Sequence, residues 1–170
     1  MTKIKDKRSI VAVDPTSRGV SYVFFERGEL LDWGHHGSML DERSGLVALD
    51  RLLDGCAADV LVLEDPEAPS VRRRPRVKAL LRSMAKHARR RGIGVVAVSR
   101  EEVIQAWRRR EVTNKEAVAE ALSAEFPELE PLVPPRRVFT ESEALSTNVF
   151  DALALVLHVF GSSSADDLAA

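Results

Sequence analysis

Two short stretches of the chain, Ile10-Val-Ala-Val13 and Val60-Leu-Val-Leu63, are unbroken apolar runs, and each stops at an acid, Asp14 and Glu64. A continuous apolar run, without the alternation of a half-exposed strand, marks a strand covered on both faces. A fold with two such strands needs helices on both sides of its sheet.

The rest of the chain supplies them. Pro15-Thr-Ser-Arg-Gly19 is turn chemistry, Val20 to Phe25 reads as a second strand, and Arg27-Gly28 turns into a third strand from Glu29 to His36. Three strands joined by short turns form an antiparallel meander. From Asp41 to Gly55 the period changes, with Leu46, Leu49, Leu52 and Leu53 on one helical face. After Glu64 comes a proline-bearing loop (Pro66, Pro69), then a helix from Pro75 to Arg91 carrying Val77, Leu80, Leu81, Met84 and Ala88 as its apolar stripe. Val95-Val-Ala-Val98 is the fifth strand. Thr113-Asn-Lys-Glu116 reads as a capping box for a helix bearing Val118, Leu122 and Phe126. Pro127, Pro131, Pro134 and Pro135 form a connector, and a last helix runs from Ser146 or Thr147 to about Phe160. The expected fold is α/β: a mixed five-stranded sheet, an antiparallel meander plus two parallel strands, with helices on both faces. Residues 1–8 read as a basic tail, 9–160 as one domain and 161–170 as a flexible polar tail.

At 170 residues the chain is long enough to bury a core without covalent staples. Its single cysteine, Cys56, excludes an internal disulfide and a thiolate metal cage. No segment reads as a signal peptide or membrane span, so a cytoplasmic location is expected. The net charge is −1, yet eleven of the 25 basic residues fall between Ala68 and Arg100, where there is no Asp or Glu. That patterning predicts one strongly positive surface.

The acids carry the chemical signal. Asp14 and Glu64 close the first and fourth strands, and Asp151 lies in the first turns of the last helix, with Asn148, Leu155 and His158 on the same stripe. An acid at a strand end is also simply where a chain meets water. If the two strands are neighbours and the last helix crosses their ends, however, the three carboxylates share a cleft. Crowded carboxylates call for a cation, and hard oxygen donors without cysteine suit Mg²⁺ or Mn²⁺. Two such ions roughly 4 Å apart support in-line phosphoryl displacement.

Val11-Ala-Val-Asp14-Pro-Thr-Ser-Arg-Gly19, Val60-Leu-Val-Leu-Glu64, Val112-Thr-Asn-Lys115-Glu-Ala-Val and Phe150-Asp151-Ala-Leu-Ala-Leu-Val-Leu-His158 resemble, in that order, motifs of the RuvC-type Holliday-junction resolvases. These are nucleases of the RNase H-like superfamily. The resemblance spans about Ile10 to Phe160 and is motif-deep. It implies an RNase H-like fold, a homodimer, cleavage of four-way DNA junctions, and metal held by Asp14, Glu64 and Asp151, with Lys115 as a functional lysine. One departure stands out: the family usually has a second acid one turn before the helical Asp, where this chain has Asn148. Asn148 still offers a carbonyl oxygen as a ligand, with less charge; Glu143 is a substitute only if the segment before the helix folds back.

Around these acids, Lys78, Arg82, Lys86 and Arg89 form a stripe on the helix from Pro75, and with Arg72, Arg73, Arg74 and Arg76 they read as a phosphate track. Trp107 with Arg108 and Arg109 is a second basic knot, its ring available either for base stacking or for the core. Lys115 would touch the scissile phosphate, or else be an exposed residue of a capping turn. His35 and His36 are adjacent on a strand and point to opposite faces, a poor metal pair. The leading expectation is a structure-selective, metal-dependent endonuclease acting on branched double-stranded DNA. The alternatives are a nucleic-acid-binding module on the same fold, weak or inactive as a nuclease, and an RNA-processing ribonuclease relative. An actin-like ATPase is set aside, since the chain lacks the length for two lobes and a run of phosphate-loop glycines.

Overall fold

A computed structural model of the chain describes residues 8–37, 41–133 and 147–166. The meander is β1 (Ser9–Thr16), β2 (Gly19–Glu26) and β3 (Glu29–Gly37); α1 (Glu42–Gly55) leads to β4 (Val60–Glu64), and α2 (Pro75–Arg90) to β5 (Gly94–Val98). Three helices follow, α3 (Arg100–Arg108), α4 (Lys115–Glu125) and α5 (Thr147–Asp166), with a 3-10 turn at Pro127–Leu132 before α5. Strand order is β3-β2-β1-β4-β5, with β1 antiparallel to β2 and parallel to β4, and β5 parallel to β4 on the edge. This is the mixed five-stranded sheet expected from the sequence.

The two apolar runs explain the layers. Side chains alternate across a strand. In β1 and β4 the even positions, Ile10, Ala12, Val60 and Val62, pack with α3, α4 and α5. The odd positions, Val11, Val13, Leu61 and Leu63, pack with α1 and α2. Parity also decides where the acids go. Asp14 and Glu64 continue the even series, so both turn toward the α5 side. The ladder pairs Ile10 with Val60 and Ala12 with Val62, which brings Asp14 level with Glu64 two residues on. Adjoining strands lie roughly 4.8 Å apart, so the two carboxylates are neighbours by construction.

At the β1–β2 turn Gly19 has φ +142°, and a Cβ there would collide with the carbonyl oxygen of His36 at 2.1 Å. Only glycine suits that position.

Several local expectations are corrected. The cap of α4 is Asn114, whose side chain accepts from the Ala117 amide at 2.8 Å, and Thr113 lies outside the helix. Asn is at least as good a cap as Thr, so the frame shifts by one residue. The segment Arg100–Arg108, assigned to no helix in the sequence reading, is α3, and part of the proline connector is a 3-10 turn. Helix α5 continues past Phe160 to Asp166, through Gly161, which costs a helix about 1 kcal/mol relative to Ala but does not end this one. Pro134, Pro135, Glu143 and residues 1–7 lie outside the described residues.

Candidate active site

Of the three acids expected to share a cleft, Asp14 and Glu64 end adjoining strands, and Asp151 is linked to Glu64 through Arg100. Asp14 and Glu64 are buried to 1% and 2% exposure at the ends of β1 and β4. Arg73, from the loop between β4 and α2, pairs with Asp14 through Nη2 and donates from Nε to Glu64 Oε2 at 2.7 Å. Arg100, the first residue of α3, reaches Glu64 Oε2 at 3.3 Å and Asp151 Oδ1 at 3.1 Å. Lys115, the first residue of α4, places Nζ 3.1 Å from Asp151 Oδ2. One carboxylate from each of β1, β4 and α5 is thus tied into a chain of three cations.

The chain of contacts is incomplete at two atoms. Asp14 Oδ2 and Glu64 Oε1 are buried without any hydrogen-bond partner. A buried acceptor without a donor costs about 1–3 kcal/mol, and more when it carries charge. The electrostatics agree. Burial drives the Asp14 carboxyl up to about 7; Arg73 pulls it down, Asp151 pushes it up, Arg100 lowers it and Glu64 raises it. Burial lowers the Arg73 and Arg100 guanidiniums, but the surrounding carboxylates outweigh it and hold both above the ordinary arginine value. Both arginines therefore stay charged.

These oxygens bear on whether a divalent cation fits. Among the described residues no three acids or histidines sit close enough together to grip one ion. Asp14 and Glu64 do present two unsatisfied hard oxygens from adjoining strand ends, the donor type Mg²⁺ and Mn²⁺ take. The residues present fit such an ion at that pair. Asn148 is buried one turn before Asp151 but does not line the cleft beside it.

The predicted phosphate track divides. Arg73 belongs to the acid cluster, not to the surface. Its neighbours Arg72, Arg74 and Arg76 are exposed, as are Lys86 and Arg89, with Lys78 half-buried. Arg82 is exposed but paired with Glu67, and Arg91 is paired with Asp50 and Asp54 of α1. The acid-free stretch of sequence therefore folds against acids from elsewhere, and the α1–α2 surface is of mixed sign. Arg108 borders the cleft beside the acids, whereas Arg109 lies with His158, Glu101 and Glu102 in a separate depression. Trp107 is buried to 8% exposure, with the Arg110 guanidinium 4.6 Å over its ring, so of the two readings offered for this ring the core one holds. His35 bonds to Ser21 at 3.0 Å and His36 stacks on Tyr22, which accounts for both without a metal.

Sequence reading missed Arg73 and Arg100 as members of the site. For Arg100 a signal existed: it follows Val98 at the end of β5 much as the acids close β1 and β4, and in open parallel sheets the ends of the strands are where ligands bind. For Arg73 there was none, because nothing separates it from the arginines on either side.

No helix among the described residues is long and apolar enough to cross a membrane. No family model matches the chain, and no curated protein sequence does. Solved structures do. RuvC of Thermus thermophilus aligns with a TM-score of 0.62 at 16% identity, over 92% of this chain and 96% of that one, and the same figures hold for that protein in complex with a Holliday junction substrate. The yeast mitochondrial Holliday junction resolvase Ydc2 aligns with a TM-score of 0.60 at 11% identity, covering 94% and 82%. At these identities the likeness is one of fold: in its mixed five-stranded sheet and helices this chain is similar to these RuvC and Ydc2 structures over 92–94% of its length.

Proposed function

We propose that this chain is a divalent-metal-dependent endonuclease that nicks branched double-stranded DNA. One observation carries the reading: Asp14 and Glu64 lie buried and level on adjoining strands, each with an unsatisfied oxygen, and Asp151 is held beside them by Arg100. Such an arrangement is costly for a protein that uses it for nothing, and costs of this kind collect at functional sites. The likeness in fold to a resolvase solved with a Holliday junction adds support.

Asp14, Glu64 and Asp151 would hold Mg²⁺ or Mn²⁺. When bound, such ions lower the pKa of water and neutralise charge on the displaced phosphate oxygen. The chain's own residues do the rest. Lys115, whose Nζ lies 3.1 Å from Asp151, would contact a phosphate brought to the acids. Arg73 and Arg100 balance the carboxylates until substrate and ion arrive. Arg72, Arg74, Arg76, Lys78, Lys86 and Arg89 offer phosphate contacts that add affinity without base preference, which suits a reader of DNA shape. Paired cuts across a four-way junction need two such sites, so we propose a homodimer as the working form.

The test is cleavage of a labelled four-way junction beside linear duplex, in Mg²⁺ and in Mn²⁺. Paired nicks in the junction that vanish in both Asp14→Asn and Glu64→Gln are expected. Equal cutting of a matched RNA substrate would move the assignment to a ribonuclease.

A second reading, a binding module without turnover, is favoured by a specific feature. Arg73, Arg100 and Lys115 already match the three carboxylates in number, and Asn148, one turn before Asp151, brings no further negative charge. That reading expects junction binding that weakens steeply with salt, with no nicks under any metal condition.

A further inference from the structure

Beside the acids, a cavity of about 270 Å³ opens between α3, α4 and α5. Its walls are apolar: Val103, Ile104 and Trp107 from α3, Val118 from α4, Phe150 and Ala154 from α5. The rest of the lining is charged, with Asp14, Asp151, Arg100, Lys115 and Arg108. Neither the fold nor the proposed chemistry needs this hollow. Protein interiors close-pack, and a lined apolar cavity continuous with a charged site is the form that small-molecule subsites take.

We infer that this cavity receives one unstacked nucleobase of the strand whose phosphate lies at the acid cluster. The inference rests on the nucleic-acid reading above and deepens it. Charge sets the orientation. Arg100, Lys115 and Arg108 complement a sugar-phosphate chain, while most of the remaining lining is ring faces and aliphatic carbons, with Thr113, Asn114 and Thr147 as its polar members. Trp107 is held in place by Arg110 on one side and contributes its ring to the cavity. Size sets the occupant. The volume lies just below the range of drug-sized ligand pockets, roughly 300–1,000 Å³, and so suits a single ring system, not a stacked pair. A base inside a duplex cannot enter without unpairing and unstacking, at a cost of a few kcal/mol, and that cost is least where pairing is already broken. A pocket of this kind would therefore favour branch points, mismatches and single-stranded flanks.

Fluorescence of 2-aminopurine, which rises on unstacking, tests the inference. The base is placed in turn at each nucleotide flanking a junction crossover, with Ca²⁺ in place of Mg²⁺ to hold the substrate uncut. Wild-type protein is expected to raise the signal at one position. Two variants should abolish the rise: Ala154→Phe, which fills the cavity, and Ile104→Asp, which puts a charge on a lining residue that is 37% exposed and so spares the core. Junction affinity should fall in both by on the order of ten- to a hundredfold, the usual worth of one stacked base. Binding with no rise at any position, or a rise that survives in both variants, overturns the pocket assignment and leaves the nuclease reading intact. A wild-type protein that binds no nucleic acid at all overturns both.

Discussion

Two clusters of arginine and carboxylate occupy this small domain, and they behave differently. On the α1–α2 seam, Asp50 accepts from Arg91 at 2.6 Å and from His87 at 2.7 Å, Arg91 also pairs with Asp54, and the side chains are 31–68% exposed. Burial works against the charge on Asp50, but the bonds from His87 and Arg91 win and hold its carboxyl below the usual range. In the cleft the same residue types sit at 1% and 2% exposure for the acids and 18% for Arg73. There the balance reverses, Asp14 is driven up to about 7, and two oxygens stay unsatisfied. The seam is a settled arrangement in high dielectric. The cleft is held under electrostatic tension, which a cation or a phosphate can relieve.

Removing Arg73 should widen the contrast most. Arg73→Ala leaves two buried carboxylates facing each other, and breaking a buried pair from one side costs about 3–5 kcal/mol. Thermal melting in chelator should show that loss. Added Mn²⁺ should recover much of it, with a larger melting shift than in wild type, because an ion binding only the folded state stabilises it by mass action. A loss that Mn²⁺ leaves untouched would mean Arg73 is not standing where a metal goes.

The next effect carries a pH signature. A raised carboxyl pKa means the folded protein holds a proton that the unfolded chain gives up. Stability therefore falls as pH rises from roughly 4 to 7, the gap between an ordinary aspartate and Asp14, and stays low above it. Asp14→Asn removes that penalty. In chelator the variant should melt above wild type at pH 8.5, by up to a few kcal/mol after allowing for the bond Arg73 loses, and the gap should close toward pH 4. A difference independent of pH would show that Asp14 is ionised throughout.

Much of the cleft was legible in the sequence because its geometry follows from two periods. An apolar run ended by a charge gave the strand ends, the period of two put Asp14 and Glu64 on one face, and the period of 3.6 put Asp151 on the inner stripe of α5. The cations were illegible for a physical reason. In sequence Arg73 is one of a run whose members look alike, and which of them turns inward depends on the path of the loop after β4. Charge patterning misled in the same way. The tract from Ala68 to Arg100 has no acid, yet Glu67, Asp50 and Asp54 fold against it, and Glu42 bonds to Ser83 at 2.5 Å. Local charge along a chain is not surface charge. The apolar cavity likewise joins α3 and α4, neighbours in sequence, to the more distant α5, and no single segment announces it.

The smallest effect belongs to the seam and sharpens the comparison from the other side. Arg91→Ala removes the pairs with both Asp50 and Asp54, so a count of ion pairs alone would rank it with Arg73→Ala. Its partners face water, however, and regain hydration when the guanidinium goes. His87 also remains beside Asp50. Exposed pairs of this kind contribute roughly 0–1 kcal/mol, so the expected loss is under about 1 kcal/mol and should shrink further as salt is raised past the physiological range. Chemical denaturation of both variants at low and high salt makes the comparison directly. The Arg73→Ala loss should persist at high salt, since ions screen a buried cluster poorly, while the Arg91→Ala loss fades. Equal salt sensitivity in the two would mean that the cleft is open to solvent and that the tension assigned to Asp14 and Glu64 is already dissipated by water.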